Sequence, residues 1–191
     1  MPLKKSSLTI FIFASAIFSL FAQKEEQRVI SVLDTLDDGS LMLTQAFVIN
    51  VPVNKVWEAY TTKEGWESWA VPKAEIDWKI NGSIKTNYNP AGEIGDSTTI
   101  TTHIINYIPE KLITLQAEIT KNFPAFMKAD EKDFYNIIEF IQTAPSRTKV
   151  VSYGLGYKNN QKYHDLLRFF IQGNEQTQLK LIKYLEGSIK N

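Results

Sequence analysis

Groups able to do acid–base or metal chemistry are few in this chain and poorly spaced for it. The two histidines are His103, in the Thr-rich run "TTITTHIINY", and His164, next to Asp165. Adjacent residues on a helix point apart, so His164 and Asp165 cannot converge. No HxxxH or HExxH spacing occurs, which argues against a metal site, and no cofactor is expected. Cysteine is absent, which excludes thiol nucleophiles, thiolate metal sites and disulfides. The GxSxG nucleophile motif is missing. "GSIKTNYNPAGEIG" lacks the Lys–Ser/Thr of a phosphate loop and opens no helix. Glu75 and Asp77, two apart on a strand, could pair as acid and base. Alternation puts them on an outward face, where a solvated surface is the simpler reading. Tyr88, Tyr107 and Tyr153 are better candidates, because a phenol can orient a ligand in an apolar pocket without catalysis.

The aromatic residues carry a stronger pattern. All four tryptophans fall in "VWEAYTTKEGWESWAVPKAEIDW", Val56 to Trp78. Trp57 reads as core. Trp66 and Trp69, three apart, share one face of a short helix, with Trp66 capping the core edge. Trp78 shares a strand face with Ala74, Ile76 and Ile80. Trp69 and Trp78 are expected at the mouth of a cavity; the alternative is that all four only pack.

These groups need a scaffold. The chain has 191 residues, 43% of them apolar, enough for one core. Its 21 basic and 21 acidic side chains show no basic stripe, so nucleic acid is not an expected partner. "MPLKKSSLTIFIFASAIFSLFA" has two lysines, an apolar run from Leu8 to Phe21 and a terminal alanine. This pattern reads as a secretory signal peptide, residues 1–22, cleaved near Ala22. The run is shorter than the ~20 residues of a comfortable membrane span. An exported protein without a stable membrane anchor is therefore expected.

Residues 23–40 form an N-terminal segment with a possible extra strand at Val29–Leu36 and a turn at "DDGS". A single domain is expected over residues 41–188. It opens with a strand, Leu41–Val51. At Pro52 the period becomes helical through Val53, Val56, Trp57 and Tyr60; Gly65 interrupts, and "WESWA" makes a second helical turn. From Ala74 the pattern is β, with Asn81–Gly82 as a hairpin signal. Counting from Leu41, seven strands are expected. One connection, Thr120–Asp133, is long enough to suggest function and carries Phe123, Phe126 and Met127 among charges. It reads as a lid. The last segment, about Asn160–Gly187, is one helix with an apolar stripe of Tyr163, Leu166, Leu167, Phe170, Leu181, Tyr184 and Leu185. The stripe is broken at "QGNEQTQ", where Asn174 and Thr177 face either a cavity or solvent.

Strand, two short helices, six antiparallel strands and one long C-terminal helix describe an α+β helix-grip fold: a curved seven-stranded antiparallel sheet wrapped around the helix. Here "INVPVNKVWEAYTTKEGWESWAVPKAEIDWKINGSIKTNY" resembles the opening of the SRPBCC (START-like) superfamily, in the branch related to the activator of heat-shock-protein ATPase. The resemblance rests on Pro52, Val56, Trp57, Gly65, Trp66, Trp69, Asp77 and Gly82, with Asn81 replacing the first glycine of a Gly–Gly pair. It implies a cavity between sheet and helix, but the fold does not decide the function. The expected role is binding a small hydrophobic or amphipathic ligand there. The expected ligand contacts are Trp69, Trp78, Tyr88, Phe126, Met127, Tyr153, Phe170, Asn174 and Thr177. The alternatives are an enzyme of cyclase or hydrolase type using the same cavity, and a protein-interaction module.

Overall fold

The computed structural model describes residues 27–188; the expected signal peptide lies outside them. Strands β1 (Val29–Thr35) and β2 (Leu41–Ile49) are followed by helices α1 (Val53–Thr61) and α2 (Lys63–Trp69). Strands β3 (Lys73–Ile76), β4 (Ser83–Asn87), β5 (Ile100–Ile108) and β6 (Leu112–Ala117) come next. A 3₁₀ turn (Ala125–Asp130), strands β7 (Tyr135–Ala144) and β8 (Arg147–Tyr157), and helix α3 (Gln161–Gly187) complete the order. One antiparallel sheet runs β1-β2-β8-β7-β6-β5-β4-β3 and curves around α3. The expected helix-grip architecture is present with eight strands, not seven. The eighth is β1, which pairs along β2 from Val29↔Phe47 to Thr35↔Leu41, so the domain starts before Leu41.

Alternation sets which face is covered. In β2, Leu41, Leu43, Gln45, Phe47 and Ile49 are all buried, and the residues between them are half-buried. The largest apolar cluster gathers Phe47, Val56, Tyr60, Trp69, Ile104 and Phe140 with Leu181, Ile182 and Leu185 of α3. Two smaller clusters lie toward the start of α3. One holds Ile119, Met127, Phe134, Tyr163 and Leu166; the other holds Leu41, Leu43 and Leu167.

Three local expectations need correction. The break between α1 and α2 is at Thr62, not Gly65. The Thr62 side chain accepts from Gly65 N at 3.0 Å and so caps α2. Gly65 lies inside α2 because a Cβ there would stand 2.6 Å from Ala59 O. Second, β3 ends at Ile76, and the chain crosses to β4 through residues 77–82 instead of a two-residue Asn–Gly turn. Asn81 N donates to Ile104 O in a left-handed conformation (φ 63°). A Cβ on Gly82 would meet Asp77 O at 2.0 Å, so only glycine fits. Third, the strand face assigned to Trp78 and Ile80 does not extend that far: both lie in the connection, and Ile80 is 55% exposed.

Candidate functional site

A cleft of about 760 Å³ opens between the first half of α3, the sheet and the long connection before β7. The helix contributes Lys162, Leu166, Phe169, Phe170, Asn174 and Thr177. The sheet side supplies Tyr88, Ile100, Thr102 and Ala117, and the connection supplies Asn122, Phe123, Pro124 and Phe126. Phe169 and Tyr88 stand 68% and 56% exposed, so two of the cleft's aromatic side chains face water. Exposed apolar surface gathered at a concavity marks a contact site more than scattered exposed residues do.

Each wall has an identifiable support. Asn160 caps the N-terminus of α3 by accepting from Tyr163 N. The connection is pinned at both ends. Asn122 Nδ2 donates to Ser97 O (3.1 Å) and Thr99 O (3.3 Å). Asp130, buried, accepts from Tyr163 Oη (2.7 Å) and from Lys158 Nζ (2.5 Å). The Lys158 bond, with the Tyr163 bond second, holds the Asp130 carboxyl below its ordinary range. Burial, and then the bond to Asp130, push the Tyr163 phenol up. Between the pins, Phe126 stacks edge-on against Tyr163 (centroids 5.1 Å), and the Lys162 ammonium lies 5.9 Å from the Phe126 centroid.

Below Tyr88, the chain between β4 and β5 is organised around one carboxylate. Asp96 accepts from the Thr98 hydroxyl (2.7 Å), from the Glu93 and Thr98 amides, and from Asn87 Nδ2 (3.1 Å). These donors, the Thr98 hydroxyl foremost, lower its pKa to about 2.

The expected ligand residues divide into two groups. Tyr88, Phe126, Phe170, Asn174 and Thr177 line the cleft. Met127 instead points into the second apolar cluster, 3% exposed. Trp69 and Trp78 belong with the main core, away from the cleft walls. Trp69 donates to Ala59 O (3.0 Å), and Trp78 packs on Trp57 (5.7 Å) and Tyr107 (5.1 Å). All four tryptophans therefore serve packing. Tyr153 projects from the sheet face opposite the helix, where its hydroxyl donates to Glu139 (3.0 Å); its neighbours Ser152 and Gly154 share the face of Gln45 and Leu43. On that same outward side Glu75 is exposed and meets Lys85 (2.6 Å), as alternation predicts.

The helix centre combines the two sequence expectations, cleft and solvent. Asn174 is exposed and Thr177 half-buried at the cleft, while Glu175 and Gln178 turn toward the sheet. Opposite them, a polar row crosses the covered face of the sheet. Asn174 Nδ2 donates to Gln45 Oε1 (2.9 Å), Gln45 Nε2 donates to Ser31 Oγ (2.9 Å), and Ser31 Oγ donates to Glu175 Oε1 (2.7 Å). Ser152 pairs with Gln45 in register and accepts from Asn136 Nδ2 (2.8 Å). The signal for this row was in β2: Gln45 is the one polar residue among five alternating covered positions. Phe123 belongs to the connection read as a lid and does line the cleft; Phe169 and Lys162 were missed, since a helix face wide enough for several assignments concealed them.

Titratable groups at the cleft are sparse. Asp165 is engaged by Arg168 and by Gln161 Nε2 (2.8 Å). The histidines are elsewhere: His103 is exposed beside Glu118, and His164 meets Asn159 Oδ1 (2.8 Å). Among the described residues no group of three metal-ligating side chains converges, and no helix is long and apolar enough to cross a membrane.

The model of a family described as activator of Hsp90 ATPase homolog 1-like protein matches residues 50–186. No curated protein matches the sequence. Among solved structures, the Aha1 dimer of Colwellia psychrerythraea superposes with a TM-score of 0.60 at 17% identity, covering 76% of this chain and 96% of that one. A conserved protein of unknown function from Enterococcus faecalis gives 0.59 at 15% identity, covering 82% and 77%. An HSP90 activator from Plasmodium falciparum gives 0.55 at 18% identity, covering 76% and 96%. At such identities these likenesses speak for the fold.

Proposed function

Because the chain belongs to the activator of Hsp90 ATPase homolog 1-like family, we propose that it uses that family's fold to hold a small hydrophobic or amphipathic ligand in the cleft beside α3. The observation that carries this reading is the cleft itself: about 760 Å³, walled by Ile100, Leu166, Phe170 and Phe126, with Phe169 and Tyr88 exposed at its edge. That volume is in the usual range of small-molecule sites, ~300–1,000 Å³. Nothing among its lining side chains forms an acid–base pair, so binding is favoured over catalysis. Export through residues 1–22 belongs to the same proposal. Native mass spectrometry of protein recovered from an expressing host, with and without solvent extraction, is the test. A retained apolar species, or stoichiometric uptake of the uncharged dye N-phenyl-1-naphthylamine, is the expected result; neither uptake nor a retained species would end this reading.

A second reading, interaction with an Hsp90-type ATPase, is favoured by the Plasmodium protein's description as an HSP90 activator. It predicts that the protein accelerates ATP hydrolysis by purified Hsp90. An exported protein would not meet that cytosolic partner, so detection of the mature protein outside the cytosol weighs for the cleft.

A further inference from the structure

The cleft is apolar along most of its length and charged at one end. Ile100, Ala117, Phe126, Leu166 and Phe170 supply apolar lining. Two lining residues carry full charges, Lys162 and Asp165, and both stand near the start of α3. From Lys162 to Thr177, the last α3 residue of the lining, the helix rises ~22 Å at 1.5 Å per residue. The site is therefore a long apolar trough with its ionic groups at one end.

The two charges are not equivalent. Asp165 is committed: Arg168 pairs with it, and Gln161 Nε2 donates to it at 2.8 Å. Lys162 makes no ion pair among the described residues. Its ammonium stands 5.9 Å from the centroid of Phe126, itself a lining residue, so the side chain is turned to the cleft wall. The residue is exposed, so a bound molecule can reach it. The backbone adds charge of the same sign. Lys162 lies in the first turn of a 27-residue helix, at the positive end of its dipole, and no acidic residue stands in that turn to offset it. The amide groups of the lining are already occupied, Asn122 Nδ2 on Ser97 O and Thr99 O and Asn174 Nδ2 on Gln45 Oε1.

Resting on the ligand-binding reading above, we infer that Lys162 is the head-group contact of the cleft and that the ligand is a long-chain monocarboxylate, its carboxylate at Lys162 and its chain lying along α3 toward Thr177. One ammonium balances one negative charge, and the aliphatic stem of Lys162 extends the apolar wall beneath it. A cationic head would meet like charge. A phosphate head, with its higher charge and three acceptor oxygens, would call for more donors than this end provides.

The experiment displaces N-phenyl-1-naphthylamine with dodecanoate and with dodecylammonium, which share a chain and differ in the sign of the head, at neutral pH and low salt. The wild type should bind dodecanoate more tightly than dodecylammonium, and added salt should narrow the difference. Lys162→Met should weaken dodecanoate by ~2–5-fold, the range of a solvent-exposed ion pair. Lys162→Arg should keep the wild-type preference. Lys180→Met, an exposed position on the same helix outside the lining, should keep it too. Dodecylammonium binding as tightly as dodecanoate in the wild type overturns the assignment without any variant. A Lys162→Met preference equal to that of the wild type, or an equal loss in Lys180→Met, overturns it as well. In each of these cases dye uptake leaves the cleft reading standing. Failure of the wild type to take up the dye or either amphiphile overturns both.

Discussion

The bond between Asn174 and Gln45 allows a quantitative test of how the helix centre is held. Asn174→Leu removes the donor to Gln45 Oε1, whose residue is 1% exposed. Asn174 itself is exposed, so a leucine there meets open space and overpacking does not confuse the result. The remaining effect is a buried acceptor left without its donor, which costs ~1–3 kcal/mol. For a domain of this size each kcal/mol moves the Tm by ~2–4 °C. Urea unfolding followed by tryptophan fluorescence reads this directly, since all four tryptophans pack in or on the main core. The cycle is completed with Gln45→Leu and the double variant. Removing both partners avoids the orphaned acceptor, so the two losses should not add, and a coupling of ~0.5–3 kcal/mol is expected. Additive losses, or an Asn174→Leu midpoint equal to that of the wild type, would refute the claim that the polar row ties the helix to the sheet.

The connection before β7 should loosen in acid. The Asp130 carboxyl is held below its ordinary 3.8, so its contribution is complete above that value and is lost as pH falls through the lowered one. Hydrogen exchange of residues 120–133 should therefore quicken selectively in that window, and Asp130→Asn should abolish the selectivity. Within the same segment two neighbours should behave oppositely. Met127→Ala, at 3% exposure, should lower stability by ~2–5 kcal/mol as a core deletion does. Phe126→Ala should cost less and mainly quicken release of N-phenyl-1-naphthylamine, because its ring walls the cleft. Finally, Gly82→Ala should destabilise by more than the ~1 kcal/mol of an ordinary glycine exchange, since its Cβ would stand 2.0 Å from Asp77 O; a neutral result in thermal unfolding would contradict the geometry of that connection.

Local periodicity carried most of the fold. The alternation of Leu41, Leu43, Phe47 and Ile49, the shift to helical spacing at Val53, and the long stripe ending at Leu185 are one-dimensional patterns, because each records which face its own element buries. Even the interruption of that stripe was visible. Which residues of the interrupted turn face inward was not, since Asn174 and Gln178 are both polar and only the seating of α3 on the sheet turns Gln178 under and leaves Asn174 at the rim. The tryptophans show the same limit from the other side. Their clustering in sequence announced an aromatic core, but the cavity mouth expected at Trp69 and Trp78 lies elsewhere: the shared helix face of Trp66 and Trp69 packs on the main core, and Trp78 falls in the six-residue path between β3 and β4 and not on a strand face. The cleft itself is a gap between elements far apart in sequence, residues 88–102, 117–126 and 162–177. No window of the chain contains it, and it exists only because a straight helix cannot fill the concavity of a twisted sheet along its whole length.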